Sequence, residues 1–138
     1  MILLDTDTLT LLTMGHPKVQ RRLDLAEDDI AITIVTRIEV LRGRFDFVLK
    51  AADGAQLLLA QQRLDDAEAR LAEVPVVPFD SDAAVEFDRL LQNKSVRKVG
   101  RADLLIASIA LAQRATLVTR NVRHFQTIPG LPVVNWAD

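Results

Sequence analysis

The sequence contains no cysteine, which excludes disulfide staples and thiolate metal sites. Its two histidines, His16 and His124, lie far apart and make no zinc spacing. A metal site here has to be built from oxygen, which favours magnesium or manganese. Aromatic residues are scarce, five Phe and one Trp. Phe79, Phe87 and Trp136 are expected in the core, so base stacking has little to work with. No apolar run is long enough to span a bilayer. The opening MILLDTDTLT lacks a basic region and carries two aspartates where a signal peptide is apolar. These absences predict a cytoplasmic protein with no membrane segment.

What remains is an ordinary globular composition, 49% hydrophobic and 26% charged over 138 residues. That length suits one domain, residues 1–138, around one core. The net charge of −2 argues against a wholly basic nucleic-acid binder, but it averages over two unlike regions. Residues 1–92 hold 17 of the 19 acidic side chains and 10 of the 17 basic ones. Residues 93–125 hold 7 basic side chains and one acidic one, Asp103. A cationic field around one carboxylate suits a polyanionic substrate; charge clusters alone more often mean a solvated face.

The apolar run of MILLD predicts a first strand over 1–5 with an abrupt polar stop. Thr6 or Asp7 can cap a short helix through Met14, ended by Gly15 and His16–Pro17. A second short helix is expected over 18–26, then a turn at Asp28–Asp29 and a strand over Ile30–Thr33. A helix starts near Thr36, with Ile38, Leu41, Phe45, Val48 and Leu49 as its apolar stripe. AADG at 51–54 interrupts it, and a further helix over 55–73 carries Leu57, Leu64 and Leu71 at intervals of seven. The two helices should form an antiparallel hairpin whose stripe serves the core, a partner helix or a dimer.

Pro75–Phe79 predicts a third strand. Asp80 or Ser81 caps a helix through Asn93, with Ala84, Phe87 and Leu91 inward. KSVRKVGRA at 94–102 is a basic loop, and Asp103 opens a helix apolar nearly all round, hence central. Strands are expected at Thr116–Thr119 and Leu131–Asn135, with a turn or short helix over 121–126 between them. Apolar strands alternating with helices imply an α/β fold with a central parallel sheet of four to five strands flanked by helices. Sites in such sheets form beyond the carboxyl ends of the strands.

Three carboxylates stand out. Asp5 ends the first strand, where ligands bind, but aspartate is also a good helix cap. Glu39 lies in the first turn of its helix, where a helix-terminus role and an ion pair with Arg42 at i+3 are the ordinary explanation. Asp103 is the sole acid in the basic segment and also suits a cap; Ala107 and Ala110 on its side of the helix allow close packing. Carboxylates that converge repel one another unless a cation sits between them. Magnesium takes few carboxylates plus waters and phosphate oxygens, and a metal so held can activate water against a phosphodiester.

LLDTDTL at 3–9, TRIEVLRGR at 36–44, VGRADLLIASIALA at 99–112 and TLVTRNVRHFQTIPGLPVVNW at 116–136 together resemble PIN-domain ribonucleases, and VapC toxins most closely. The order and spacing agree across nearly the whole chain. The resemblance implies a PIN-like fold with a protruding helical hairpin. It also implies a magnesium- or manganese-dependent endoribonuclease that is usually a homodimer and is held inactive by a cognate antitoxin. Asp5, Glu39 and Asp103 match the family's first three acids. Asn121 stands where the family often has a fourth acid, which reduces the expected site to three carboxylates; Asp7 offers a compensating charge. The expected reaction is in-line attack of a metal-oriented water on phosphorus, leaving a 5′ phosphate and a 3′ hydroxyl. Arg97, Lys98, Arg101, Arg120 and Arg123 are candidates for RNA backbone contact, and single-stranded loops are the favoured targets.

Two other readings stand beside this one. DTDTL at 5–9 after an apolar strand fits the short signature of a haloacid-dehalogenase-type phosphatase, with Asp5 as nucleophile and Asp7 as acid. That reading leaves Glu39 unexplained and finds no convincing downstream lysine and paired aspartates. The other is a PIN-like binding module whose activity has lapsed, supported only by Asn121.

Overall fold

A computed structural model describes residues 1–138. Five short strands, β1 (Ile2–Leu4), β2 (Ile30–Thr33), β3 (Val76–Val77), β4 (Thr116–Val118) and β5 (Val133–Val134), form one parallel sheet in the order β3-β2-β1-β4-β5. The helices are α1 (Thr6–Thr13), α2 (Pro17–Leu25), α3 (Ile34–Leu49), α4 (Gly54–Leu71), α5 (Ser81–Leu91), α6 (Arg101–Ala112) and α7 (Val122–Phe125). This is the expected α/β architecture. No helix is long and apolar enough to cross a membrane.

The sheet is apolar on both faces because each strand feeds two cores. Leu3, Ala31 and Leu117 point into a core of 18 buried residues built largely with α5 and α6. Their neighbours Leu4, Ile32 and Val118 point the other way, into a core of 8 that includes Leu9 of α1, Val19 of α2, Leu71 of α4 and Trp136. The alternation follows from the two-residue period of a strand. It explains why these strands read as continuous apolar runs. The helix α6 is central as its composition required, with Ile106, Ala107, Ile109 and Ala110 at most 1% exposed.

Several local expectations need correction. Asp5, not Thr6 or Asp7, caps α1: its Oδ1 accepts from Thr8 N–H at 2.8 Å. Asp103 does not cap α6; Gly100 does, without a side-chain bond, and Asp103 lies inside the first turn. The helix α3 begins at Ile34 rather than near Thr36, because the Thr33 hydroxyl accepts from Thr36 N–H at 3.2 Å and starts it earlier. On α5 the buried residues are Ala83 and Leu90, and Leu91 faces out. Phe79 is 37% exposed, at the edge of a T-shaped contact with Phe87.

The largest correction concerns the hairpin of α3 and α4. Of α3, only Val35 and Thr36 are buried; Ile38, Phe45 and Leu49 of the expected stripe are exposed, and Leu41 and Val48 are half-buried. The reason is length. Sixteen residues of helix run about 24 Å, whereas a four-residue strand spans about 13 Å. The helix outruns the sheet, and the apolar side chains of its distal part are left largely uncovered. On α4 the buried positions are Ala60, Ala67 and Leu71, while Leu57 is exposed.

Candidate active site

The candidate acids stand on three elements next to the carboxyl edge of the sheet: the end of β1, the first half of α3 and the first turn of α6. Asp5 follows β1 directly, and its N–H donates to Val118 O of the adjacent β4 at 3.0 Å. This fixes the residue between two central strands, where it is 7% exposed. Burial pushes its carboxyl up from the usual aspartate value, against the lowering effect of the Thr119 hydroxyl and the Thr8 N–H; neighbouring Asp7 adds to the rise. The cause is desolvation of the charged form in a site that supplies no basic partner. Lys and Arg side chains form just one carboxylate ion pair in the molecule, Arg89–Glu86, and it lies elsewhere.

Glu39 reaches the same place from α3. Thr6 Oγ1 lies 2.7 Å from Glu39 Oε1 and 3.1 Å from Thr36 Oγ1. A carboxylate only accepts, so the single hydroxyl hydrogen of Thr6 goes to Glu39 and Thr6 is left to accept from Thr36. Thr33, Thr36 and Thr6 thus form a relay from the end of β2 across to the residue after Asp5. The ordinary explanation for Glu39, an ion pair with Arg42, is not realised: the two make no salt bridge. Glu39 Oε2 has no protein hydrogen bond.

Asp103 is held from the other side. Its Oδ2 lies 3.0 Å from Nε2 of His124 on α7, the short helix after β4. The Asp103 side chain is 39% exposed. His124 was set aside in the sequence because it makes no zinc spacing. The usable signal was different: it sits in the turn after a sheet strand, the same edge that Asp5 occupies. Sequence reasoning also passed over Thr6, Thr36 and Thr119, whose hydroxyls line this edge.

Asn121 begins the α7 turn with an exposed side chain that makes no hydrogen bond; its backbone N–H donates to Thr119 Oγ1 at 3.0 Å and its carbonyl accepts from Phe125 N–H at 3.3 Å. Asp7 is exposed on the first turn of α1. No group of three His, Asp or Glu side chains is gathered tightly enough to hold a metal ion as the side chains stand. Arg97, Lys98, Arg101, Arg120 and Arg123 are exposed and without carboxylate partners. The Arg101 guanidinium lies over the Phe87 ring, 5.5 Å from its centre.

Comparison with known proteins agrees with this architecture. The PIN domain family model matches residues 2–131. The chain is 32% identical to ribonuclease VapC2 of Rickettsia felis, covering 97% of this chain and 96% of the relative. It is 27% identical, with the same coverage, to the tRNA(fMet)-specific endonuclease VapC of Salmonella typhimurium. Among solved structures, VapBC-1 from nontypeable Haemophilus influenzae superposes with a TM-score of 0.81 at 26% identity, covering both chains completely.

Proposed function

The chain belongs to the PIN domain family and, within it, to the VapC ribonucleases, and from that premise we propose that it is an endoribonuclease toxin whose Asp5, Glu39 and Asp103 hold a magnesium or manganese ion. One observation carries the reading: a carboxylate only 7% exposed stands without a basic partner at the sheet edge, and the next residue in the chain holds Glu39. Burying an acid this way is costly unless a cation joins it.

PIN-domain ribonucleases as a class depend on divalent metal. The donor set here fits, because it is all oxygen and supplies few carboxylates, which leaves positions for water and phosphate oxygens. When bound, the ion supplies an activated water and neutralises charge on the phosphodiester. The protein's own groups do the rest. Thr8 N–H fixes Asp5 Oδ1, Thr6 fixes Glu39 Oε1 and His124 orients Asp103 through Oδ2. Glu39 Oε2 and Asp103 Oδ1 are left for the ion or for water. Arg97, Lys98, Arg101, Arg120 and Arg123 are assigned to RNA phosphates. Asn121 adds no negative charge, so the site is read as holding one ion, with Asp7 on the first turn of α1 as a neighbouring charge. The products carry a 5′ phosphate and a 3′ hydroxyl.

The partner is a cognate antitoxin, and the exposed apolar side chains of the α3–α4 hairpin, Leu49 at 81% and Leu58 at 72% among them, suit its contact or that of a second copy. The test uses purified, antitoxin-free protein with structured RNA, and separately with p-nitrophenyl phosphate, with and without magnesium or manganese. Metal-dependent RNA cleavage that disappears in Asp5→Ala is the expected result. Phosphate release without RNA cutting would make the protein a phosphatase. Silence of the folded protein in both assays would make it a binding module.

A further inference from the structure

Beside Glu39, a cavity of about 360 Å³ opens between α1 and the helical hairpin. Thr6, Glu39, Gly43, Arg44, Phe47 and Arg63 are among its lining residues. Three features of this cavity are unexplained by folding.

The first is Gly43, in the middle of α3. A mid-helix glycine destabilises its helix relative to alanine. A Cβ built at Gly43 would meet nothing within 4 Å, so no close packing demands its absence, and its backbone is ordinary helix. What the missing side chain preserves is room in the cavity. The second is charge. Arg44 and Arg63 both face this space and neither forms a salt bridge, although Asp66 lines an adjoining cavity with both of them. Asp66 instead accepts from Gln62 at 3.1 Å. The third is orientation. The Arg63 guanidinium lies over the Phe47 ring, 5.8 Å from its centre, which restrains the side chain while leaving its N–H edge available.

We infer that this cavity is a phosphate subsite for the RNA strand, in which Arg44 and Arg63 grip a backbone phosphate flanking the one that is cut. The inference rests on the ribonuclease reading and extends it from the basic segment 93–125 to cations of the helical hairpin. Glu39 and Arg44 line the same cavity, which places this cation beside a carboxylate assigned to the cleavage site. Guanidinium groups match phosphate in paired hydrogen bonds. Gly43 keeps the strand's approach clear. An acidic segment of a protein partner would use the same cations, but it would not require a position adjoining the carboxylates of the cleavage site.

The test compares Arg44→Ala, Arg63→Ala and Gly43→Met with the parent and with Arg21→Ala, a surface control of the same charge change. Affinity for a fluorescently labelled single-stranded RNA is read by anisotropy in an Asp5→Asn background across a salt series. Cleavage kinetics are read in the active background, and binding of Mn²⁺ alone by calorimetry. Each arginine variant should weaken RNA binding about tenfold, raise KM more than it lowers kcat, and reduce the salt slope by about one. Gly43→Met should weaken RNA binding comparably without changing the salt slope or lowering thermal stability. Mn²⁺ affinity should stay within twofold of the parent throughout, and Arg21→Ala should match the parent. Unchanged RNA affinity and salt slope in variants of an otherwise active nuclease would overturn the subsite alone. Loss of binding to an acidic partner protein with RNA affinity intact would also overturn it. A parent that neither binds nor cuts RNA would bring down the ribonuclease reading together with it.

Discussion

The two sides of the candidate site are built on different principles. On the β1 side, Asp5 is buried, its carboxylate takes a backbone N–H, and Glu39 accepts directly from the adjoining Thr6, whose hydroxyl also meets that of Thr36. On the α6 side, Asp103 is 39% exposed and answers to one imidazole on a four-residue helix. The first side is set when the sheet forms; the second can adjust, since water can replace the imidazole. Rigid placement of a buried acid has a cost in stability, so most of the electrostatic strain of the site falls on Asp5.

The sharpest way to break this comparison is Asp5→Asn. RNA cleavage should fall on the order of 10³-fold, because a carboxylate is lost at the most constrained position. The metal-free protein should nevertheless melt at a higher temperature at pH 7, since asparagine keeps an oxygen for the Thr8 N–H and carries no charge to desolvate. The sign follows from linkage. The folded-state pKa of Asp5 is raised, so between the usual aspartate value and that raised value the folded state binds more protons than the unfolded one. Stability therefore declines as pH rises through that window. The parent should lose ground relative to Asp5→Asn from about pH 4 upward, and the two should converge below it. Melting curves across a pH series in a chelator check this; a variant less stable than the parent at pH 7 would show that the buried charge is already compensated.

A second measurement separates the sheet from the hairpin. Leu117→Ala, at 0% exposure in β4, should cost about 2–5 kcal/mol, whereas Leu49→Ala on the hairpin, 81% exposed, should stay within about 0.5 kcal/mol. Urea unfolding of both variants reads the difference directly. A large loss from Leu49→Ala would mean that the hairpin is covered in solution, as by a second copy.

These effects also show what was legible in the sequence. The strands and the central helix could be read because burial on both faces leaves an unbroken apolar run, and Asp5 because it stops such a run. Glu39 was legible only through family resemblance: helix position and Arg42 offered it an ordinary role, and what holds it, Thr6, lies 33 residues away. The hairpin stripe misled for a different reason. Periodicity marks a face as apolar but does not say what covers it, and α3 extends past the sheet that would have done so. His124 went unseen because zinc spacing was the wrong question for a histidine that orients a carboxylate.

Thr6→Val probes the relay without touching an acid. Valine keeps the shape and removes the hydroxyl, leaving Glu39 Oε1 without its donor. Supporting bonds of this kind are worth about 10–100-fold in metal affinity or activity, so Mn²⁺ binding and cleavage should fall together by that amount. An unchanged Mn²⁺ affinity would mean that Glu39 finds its position unaided, and the threonines would then be structural.

The smallest effect is expected on the adjustable side. His124→Asn removes the imidazole that meets Asp103 Oδ2, but Asp103 is exposed enough for water to take its place. Mn²⁺ affinity should fall by no more than about tenfold, at the lower limit for such supporting partners. His124→Gln, whose longer amide can reach further, should recover part of the loss. The contrast with Thr6→Val is the decisive readout: if His124→Asn is the more damaging of the two, the α6 side is the rigid one, and the division between a fixed and an adjustable half of the site is reversed.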